Sequence, residues 1–101
     1  MSYLDDLAAA IRARVPDDKL PDRELDPLFR LYAVLALAKG EAVTCEDVHN
    51  AWSAWMADRE PDHAALRPFA DLDATTQAAD EPYVEAIRST VREEGLTPTS
   101  E

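Results

Sequence analysis

Apolar side chains recur every three to four residues through most of this chain, a spacing that predicts amphipathic helices rather than strands. The first such segment begins near Asp5 and Asp6, whose carboxylates favour a helix start because they complement its dipole. Pro16 ends it, since proline cannot continue a helix interior. One stripe of this first helix is predicted to face the core, with Leu4, Leu7, Ile11 and Val15.

A second helix is predicted over residues 26–39. Asp26 supplies an N-cap acceptor and Pro27 suits the first helical position, while Gly40 fits a left-handed cap at the other end. Arg30 is the only charged residue in the interior of the segment, so the helix is apolar on nearly every side. Such a helix is enclosed by its neighbours, and residues 26–39 are therefore predicted to form the centre of the domain.

Two more helices and a short one are predicted in the second half of the chain. Thr44 and Asp47 form a capping-box pattern that starts a third helix. After a loop, Asp73 caps a short helical stretch, and Asp80, with Pro82 in the first turn, caps the last helix. The buried face of that last helix is predicted to carry Tyr83, Val84, Ile87 and Val91.

The complete prediction is an all-α fold in one domain, residues 1–94, followed by a flexible tail over residues 95–101. Four main helices and one short helix pack around the central helix 26–39. A brief extended pairing around Val43 and residues 66–69 is the one departure from helical structure, because Pro68 pushes Arg67 towards an extended backbone.

The net charge of −11 narrows the classes of partner. A surface with 21 carboxylates and 10 cations repels phosphate backbones, so nucleic acid is not an expected partner. Anionic membranes are disfavoured for the same reason. A cationic partner remains open, as does a ligand held in a locally basic pocket. The small size and large apolar content also leave a homodimer open.

Cysteine content and the apolar runs predict a cytoplasmic protein. Cys45 is the only cysteine, which excludes an internal disulfide and suggests a reducing compartment. Asp5 and Asp6 stand where a signal peptide would carry basic residues. The longest apolar run, residues 31–38, is far shorter than the ~20 residues that span a bilayer.

No pattern for catalysis, metal binding or a cofactor is evident. Zinc needs about four close ligands, and Cys45, His49 and His63 are too few and too scattered. A nucleophilic Cys45 with one of the histidines is conceivable, but a small semi-buried residue in the first turn of a helix is the simpler interpretation. No glycine-rich loop is present to cradle a phosphate. We therefore expect a protein that is not an enzyme and has no cofactor.

Large aromatic residues and histidines cluster between positions 49 and 83. Aromatic rings with a few polar groups are typical of small-molecule pockets, although core packing explains the same residues. His63 and Arg67 lie in the loop, and Arg67 is one of few cations in an acidic chain. The residues predicted to bind a ligand are His49, Trp52, His63, Arg67 and Tyr83.

Residues 45–92 resemble the RyR domain, a small module repeated in ryanodine receptors and found in short bacterial and phage proteins. His49 and Trp52 match its first pair, and Asp80 matches an aspartate on its last helix. Gln77 stands where that family has a lysine, and the usual glycine-tryptophan loop is replaced by residues 58–62. The segment between them also matches, with His63, Leu66, Pro68, Phe69 and Leu72.

The resemblance implies a non-enzymatic module that binds a small ligand or a protein partner, with a role in bacterial defence or regulation. The alternative hypothesis rests on charge alone. It is an acidic partner-binding protein, such as an antitoxin-like inhibitor or a nucleic-acid mimic.

Overall fold

The computed structural model describes residues 3–16, 18, 20 and 25–95, and within them the fold is all-α. 3-10 turns at Gly40–Ala42 and Phe69–Asp71 lie between the helices. The prediction of four main helices and one short helix is confirmed. The α-helices are α1 (Tyr3–Arg12), α2 (Asp26–Lys39), α3 (Cys45–Ala57), α4 (Ala74–Ala78) and α5 (Glu81–Glu94).

Helix α2 is the central element, in contact with α1, α3 and α5. Its burial follows one stripe, with Leu28, Phe29, Tyr32, Ala33 and Ala36. The helix is not enclosed on every side, because Val34 and Leu37 remain 49% and 37% exposed. Helix α1 packs against it with Leu7 and Ile11 buried and Leu4 half-buried. The helix ends at Arg12, earlier than Pro16 predicted, and Val15 of the predicted stripe is buried in the turn that follows.

The start of α2 differs by one residue from the prediction. Leu25, not Asp26, is the N-cap, and its carbonyl accepts the N–H of Phe29 at 3.0 Å. Leu25 is buried in the core with 1% of its surface exposed. The buried Leu25 side chain fixes the point at which the chain enters α2. Asp26 is therefore the first helical residue, and its carboxylate accepts a hydrogen bond from Arg12 on the surface rather than capping the helix.

The junction between α2 and α3 follows the sequence signals in part. Gly40 has a positive φ of 57° after the last turn of α2, but its ψ of −136° lies outside the left-handed helical region that the sequence predicted. The Asp47 N–H donates to the Thr44 hydroxyl at 3.2 Å, and the Thr44 N–H donates to the Asp47 carboxylate at 3.0 Å. Both halves of the predicted capping box are therefore present.

The predicted extended pairing around Val43 is wrong, since the structure has no strand in its described ranges. Phe69 begins a 3-10 turn, and the Val43 carbonyl accepts a hydrogen bond from Nη2 of Arg88 at 2.7 Å. The backbone carbonyl of Val43 thus receives its hydrogen bond from a side chain of α5 rather than from a neighbouring strand.

Helix α5 ends at Gly95, which caps it in the left-handed conformation with φ of 70°. The predicted tail beyond Gly95 and most of the connection before α2 lie outside the described residues. Among the helices that are described, none combines the length and the apolar character needed to cross a membrane.

Candidate ligand-binding site

A cleft of about 500 Å³ lies between α2, α3, α4, the start of α5 and the loop of residues 58–73. This volume is in the usual range for small-molecule pockets. Three of its rings are half-buried, so water reaches the cleft. Its aromatic and polar lining includes Tyr32, His49, Trp52, His63, Asp80 and Tyr83.

Trp52 lies between the two histidines of the cleft. His49 and Trp52 are three residues apart on α3, so both side chains project from one face of the helix. Their rings stack at 5.6 Å between centroids with an interplanar angle of 24°. On the loop side, the His63 ring meets the indole edge-on at 5.1 Å and 81°. The indole is therefore fixed between two imidazoles while part of its surface stays exposed.

A hydrogen bond from His49 joins the loop to α3. His49 is buried, with 4% of its surface exposed, and its Nε2 donates to the Arg67 carbonyl at 2.7 Å. The hydroxyl of Ser53, 3.3 Å away, is a second neighbour of the same nitrogen. Because a carbonyl oxygen can only accept, Nε2 carries a proton, and only Nδ1 is left for a bound molecule.

His63 is oriented by its own loop. Its Nδ1 accepts the backbone N–H of Ala65 at 3.0 Å. A nitrogen that accepts is unprotonated, so the proton of the neutral ring is on Nε2. His63 is half-buried at the cleft and offers a hydrogen-bond donor there. The ring nitrogen left for a ligand is therefore Nδ1 on His49 and Nε2 on His63.

Two tyrosines form the opposite wall. The ring centroids of Tyr32 on α2 and Tyr83 on α5 are 5.7 Å apart, and Phe29 packs behind both rings. Burial raises the pKa of Tyr32 well above its usual value, and nearby Tyr83 and Asp80 add to the effect. Burial and then Asp80 also raise the pKa of Tyr83. Both phenols therefore stay neutral near pH 7.

Asp80 brings a carboxylate into this aromatic setting. It holds the N-cap position of α5, yet its side chain makes no capping hydrogen bond, contrary to the prediction. Its backbone is already helical, with φ of −85° and ψ of −9°, which differs from the extended backbone of side-chain caps. Burial, followed by the neighbouring Glu81, raises the pKa of Asp80 to about 6, although His49 acts to lower it.

Four of the five residues predicted to bind a ligand line the cleft, namely His49, Trp52, His63 and Tyr83. Arg67 is not among the lining residues, and its side chain is exposed. Its contribution is the backbone carbonyl that holds His49, which no sequence pattern identifies.

Tyr32 and Asp80 are site residues that the sequence analysis did not assign to the cleft. Tyr32 is the one hydroxyl-bearing side chain on the buried stripe of α2, which is a usable signal for a polar group facing a cavity. The sequence signal for Asp80 pointed away from the cleft, because an aspartate just before a helix indicates an N-cap.

Cys45 lies away from the cleft lining, in the first turn of α3. Its Sγ donates to Oε2 of Glu81 at 3.1 Å. Burial first, and then Glu81, raise the pKa of the thiol to about 12, so the reactive thiolate is scarce near pH 7. The part of the chain that the structure describes contains no group of three or more side chains placed to hold a metal ion.

Comparison with protein families gives one match. A family model described as "Domain of unknown function (DUF7701)" matches residues 2–92. No curated protein matches the chain, and no solved structure does.

The predicted membership of the RyR domain family is wrong, because the matching family spans residues 2–92 and no RyR domain is found. The residues that suggested it have local structural roles. His49 stacks on Trp52 and bonds the loop, as its spacing on a helix allows. Gln77, in the position of the expected lysine, donates from Nε2 to the Phe69 carbonyl at 2.9 Å and holds the 3-10 turn. A short pattern set by helix–loop packing can arise in unrelated families.

Proposed function

We propose that this chain, which belongs to the DUF7701 family, is a non-enzymatic binding module whose ligand occupies the cleft between α2, α3, α4, the start of α5 and the loop. One observation carries the proposal. Trp52 is packed between His49 and His63 while it stays half-buried beside a cavity of about 500 Å³. Aromatic walls with a few fixed polar groups are what small-molecule pockets commonly present.

The polar groups of the cleft are organised before a ligand arrives. The Arg67 carbonyl fixes the His49 ring, and the Ala65 N–H fixes the His63 ring. A ligand therefore meets two imidazole rings whose orientation is already set by hydrogen bonds. Such preorganisation favours affinity because less conformational entropy is lost on binding.

The chemistry of the side chains supports binding rather than catalysis. Cys45, the one thiol of the chain, is bonded to Glu81 and its pKa of about 12 opposes thiolate formation. Nε2 of His49 donates to the Arg67 carbonyl. The nitrogen beside the Ser53 hydroxyl therefore cannot also act as a base for it. A nucleophile activated by an oriented base is thus not assembled from these residues.

Tryptophan fluorescence tests the proposal. In Trp55→Phe, the remaining indole is Trp52, so its emission reports occupancy of the cleft. We expect members of a fragment library of cations, neutral molecules and anions to change this emission and to raise the melting temperature. Ligand binding raises the free energy of unfolding by RT ln(1 + [L]/Kd), where [L] is the free ligand concentration.

Two substitutions then locate the binding. His63→Gln removes a half-buried ring of the cleft, and we expect it to weaken the fragments that bind. Tyr3→Ala is the control, because Tyr3 is 70% exposed on α1 and outside the cleft. Fragments that bind equally well to both variants would contradict the assignment of the site. A library without any binder at millimolar concentration would contradict the function itself.

A further inference from the structure

We infer that the cleft takes an organic cation, an ammonium group on an apolar body, with Asp80 as its counter-ion and the rings of Trp52, Tyr32 and Tyr83 around it. This inference rests on the proposed binding function and adds the chemical class of the ligand. It also replaces the sequence-based expectation that Arg67 could contact an anion, since the Arg67 side chain does not line the cleft.

Apart from its two histidines, the charged side chains in the described lining of the cleft are all carboxylates. Its described lining contains the carboxylates of Asp18 and Asp80 and neither lysine nor arginine. Elsewhere in the described chain, cations are engaged at a distance from it. Arg12 pairs with Asp26, and Arg92 pairs with Glu41. An anion entering the cleft would meet these carboxylates without a lysine or arginine to compensate for them.

Asp80 has no lysine or arginine as an ion-pair partner in the described chain, and the influence of His49, which lowers its pKa, does not offset its burial. Asp80 is half-buried. Its side chain also makes no cap to α5. A carboxylate taken partly out of water is destabilised unless a charge or hydrogen bonds compensate. A bound ammonium group would supply both.

The aromatic walls suit the same ligand. The faces of tryptophan and tyrosine rings attract cations within about 6 Å, and tryptophan does so best. Trp52 on α3 and the pair Tyr32 and Tyr83 stand on different elements around the cleft, as a cage for a cation requires. The apolar body of the ligand would pack on Leu28 and the neighbouring small side chains. The net charge of −11 raises the local concentration of cations further.

Three probes with a common body test the charge preference. They are 2-phenylethylammonium, 2-phenylethanol and 3-phenylpropionate, measured by calorimetry and by Trp52 emission at about 0.15 M salt, where exposed charges are screened beyond about 8 Å. We expect the ammonium to bind at least about tenfold tighter than the alcohol, and the carboxylate most weakly. An alcohol that binds as tightly as the ammonium would overturn the inference.

Asp80→Asn removes the charge at nearly constant shape and, because Asp80 makes no capping bond, spares α5. We expect it to weaken the ammonium by about tenfold and to leave the alcohol within about twofold. Asp58→Asn is the matched control, since Asp58 is exposed and outside the cleft lining. Equal losses in the two variants would show only the general attraction of an acidic surface, and would contradict a role for Asp80.

The failures of the two proposals are distinguishable. Binding of uncharged fragments at Trp52 without a preference for cations leaves the binding function standing and rejects the ligand class. If none of the probes and none of the fragments binds, both proposals are rejected. A last arm compares a lysine-containing tripeptide with its Nε-acetylated form. Selective binding of the lysine peptide identifies the ammonium as a partner's side chain, while a preference for 2-phenylethylammonium identifies a free amine, and each supports the inference.

Discussion

Nε2 of His49 donates a hydrogen bond to the backbone carbonyl of Arg67 across 2.7 Å, and this bond joins α3 to the loop that covers it. The two residues are 18 positions apart, so the contact restrains a long segment without regular hydrogen bonding. The loop side of the cleft depends on it, because His63 and Ala65 belong to the same loop.

His49→Phe is therefore expected to destabilise the fold. The phenyl ring keeps the stack on Trp52 but cannot donate, and it leaves the Arg67 carbonyl without its partner. An unsatisfied group of this kind costs about 1–3 kcal/mol. Urea unfolding measures the loss, and Asn50→Ala, an exposed neighbour on α3, is the control. If both variants unfold at the same midpoint, the bond does not restrain the loop.

The raised pKa of Asp80 gives stability an unusual dependence on pH. In the folded protein the carboxyl has a pKa of about 6, above its ordinary value of 3.8. Between those values the folded state binds more protons than the unfolded state, so stability falls as pH rises through that window. The charged form is the disfavoured one because it is partly buried.

Asp80→Asn isolates this effect from other groups that face the cleft or lie beside it, including His49, Tyr32, Tyr83 and Glu81. We expect the variant to be more stable than the parent at pH 7, and the difference to shrink as pH is lowered towards 4. Chemical denaturation at a series of pH values measures it. A parent protein that is the more stable of the two at pH 7 would show that Asp80 stabilises the fold through its charge.

The sequence predicted the helices well because their signals are local. The stripe of α1, the capping box at Thr44 and the glycine after α2 each depend on residues within one or two turns. The same holds for the stack of His49 on Trp52, which follows from their spacing on one helix. The α3 side of the cleft could therefore be predicted from local helix geometry.

The rest of the cleft depends on contacts between elements that are distant in the sequence. Tyr32 on α2 comes within 5.7 Å of Tyr83 on α5 only through the packing of the two helices. Asp80 turns from a cap into a cleft residue because its backbone is already helical. The contact that Arg67 makes was also hidden from the sequence, since it is made by the backbone carbonyl and not by the charged side chain.

Thr44→Ala tests the start of α3, where two reciprocal hydrogen bonds join Thr44 to Asp47. Alanine removes the hydroxyl acceptor, and we expect a loss of about 1 kcal/mol in the free energy of unfolding. Thr44→Ser keeps the hydroxyl and is expected to retain most of the stability. Thermal unfolding of the three proteins gives the answer. A serine variant as unstable as the alanine variant would assign the effect to the lost methyl group instead of the cap.

Burial first, and then Glu81, whose carboxylate accepts the thiol hydrogen bond, raise the pKa of Cys45 to about 12. Glu81→Gln removes that negative charge, so the pKa of the thiol falls and the thiolate fraction at a given pH rises. At about pH 8.5 we expect iodoacetamide to alkylate the variant at least about threefold faster than the parent, since the thiolate is the nucleophile. Mass spectrometry of the folded proteins follows the rate, and Glu94→Gln, exposed at the end of α5, is the control. An unchanged rate in Glu81→Gln would mean that burial alone protects the thiol.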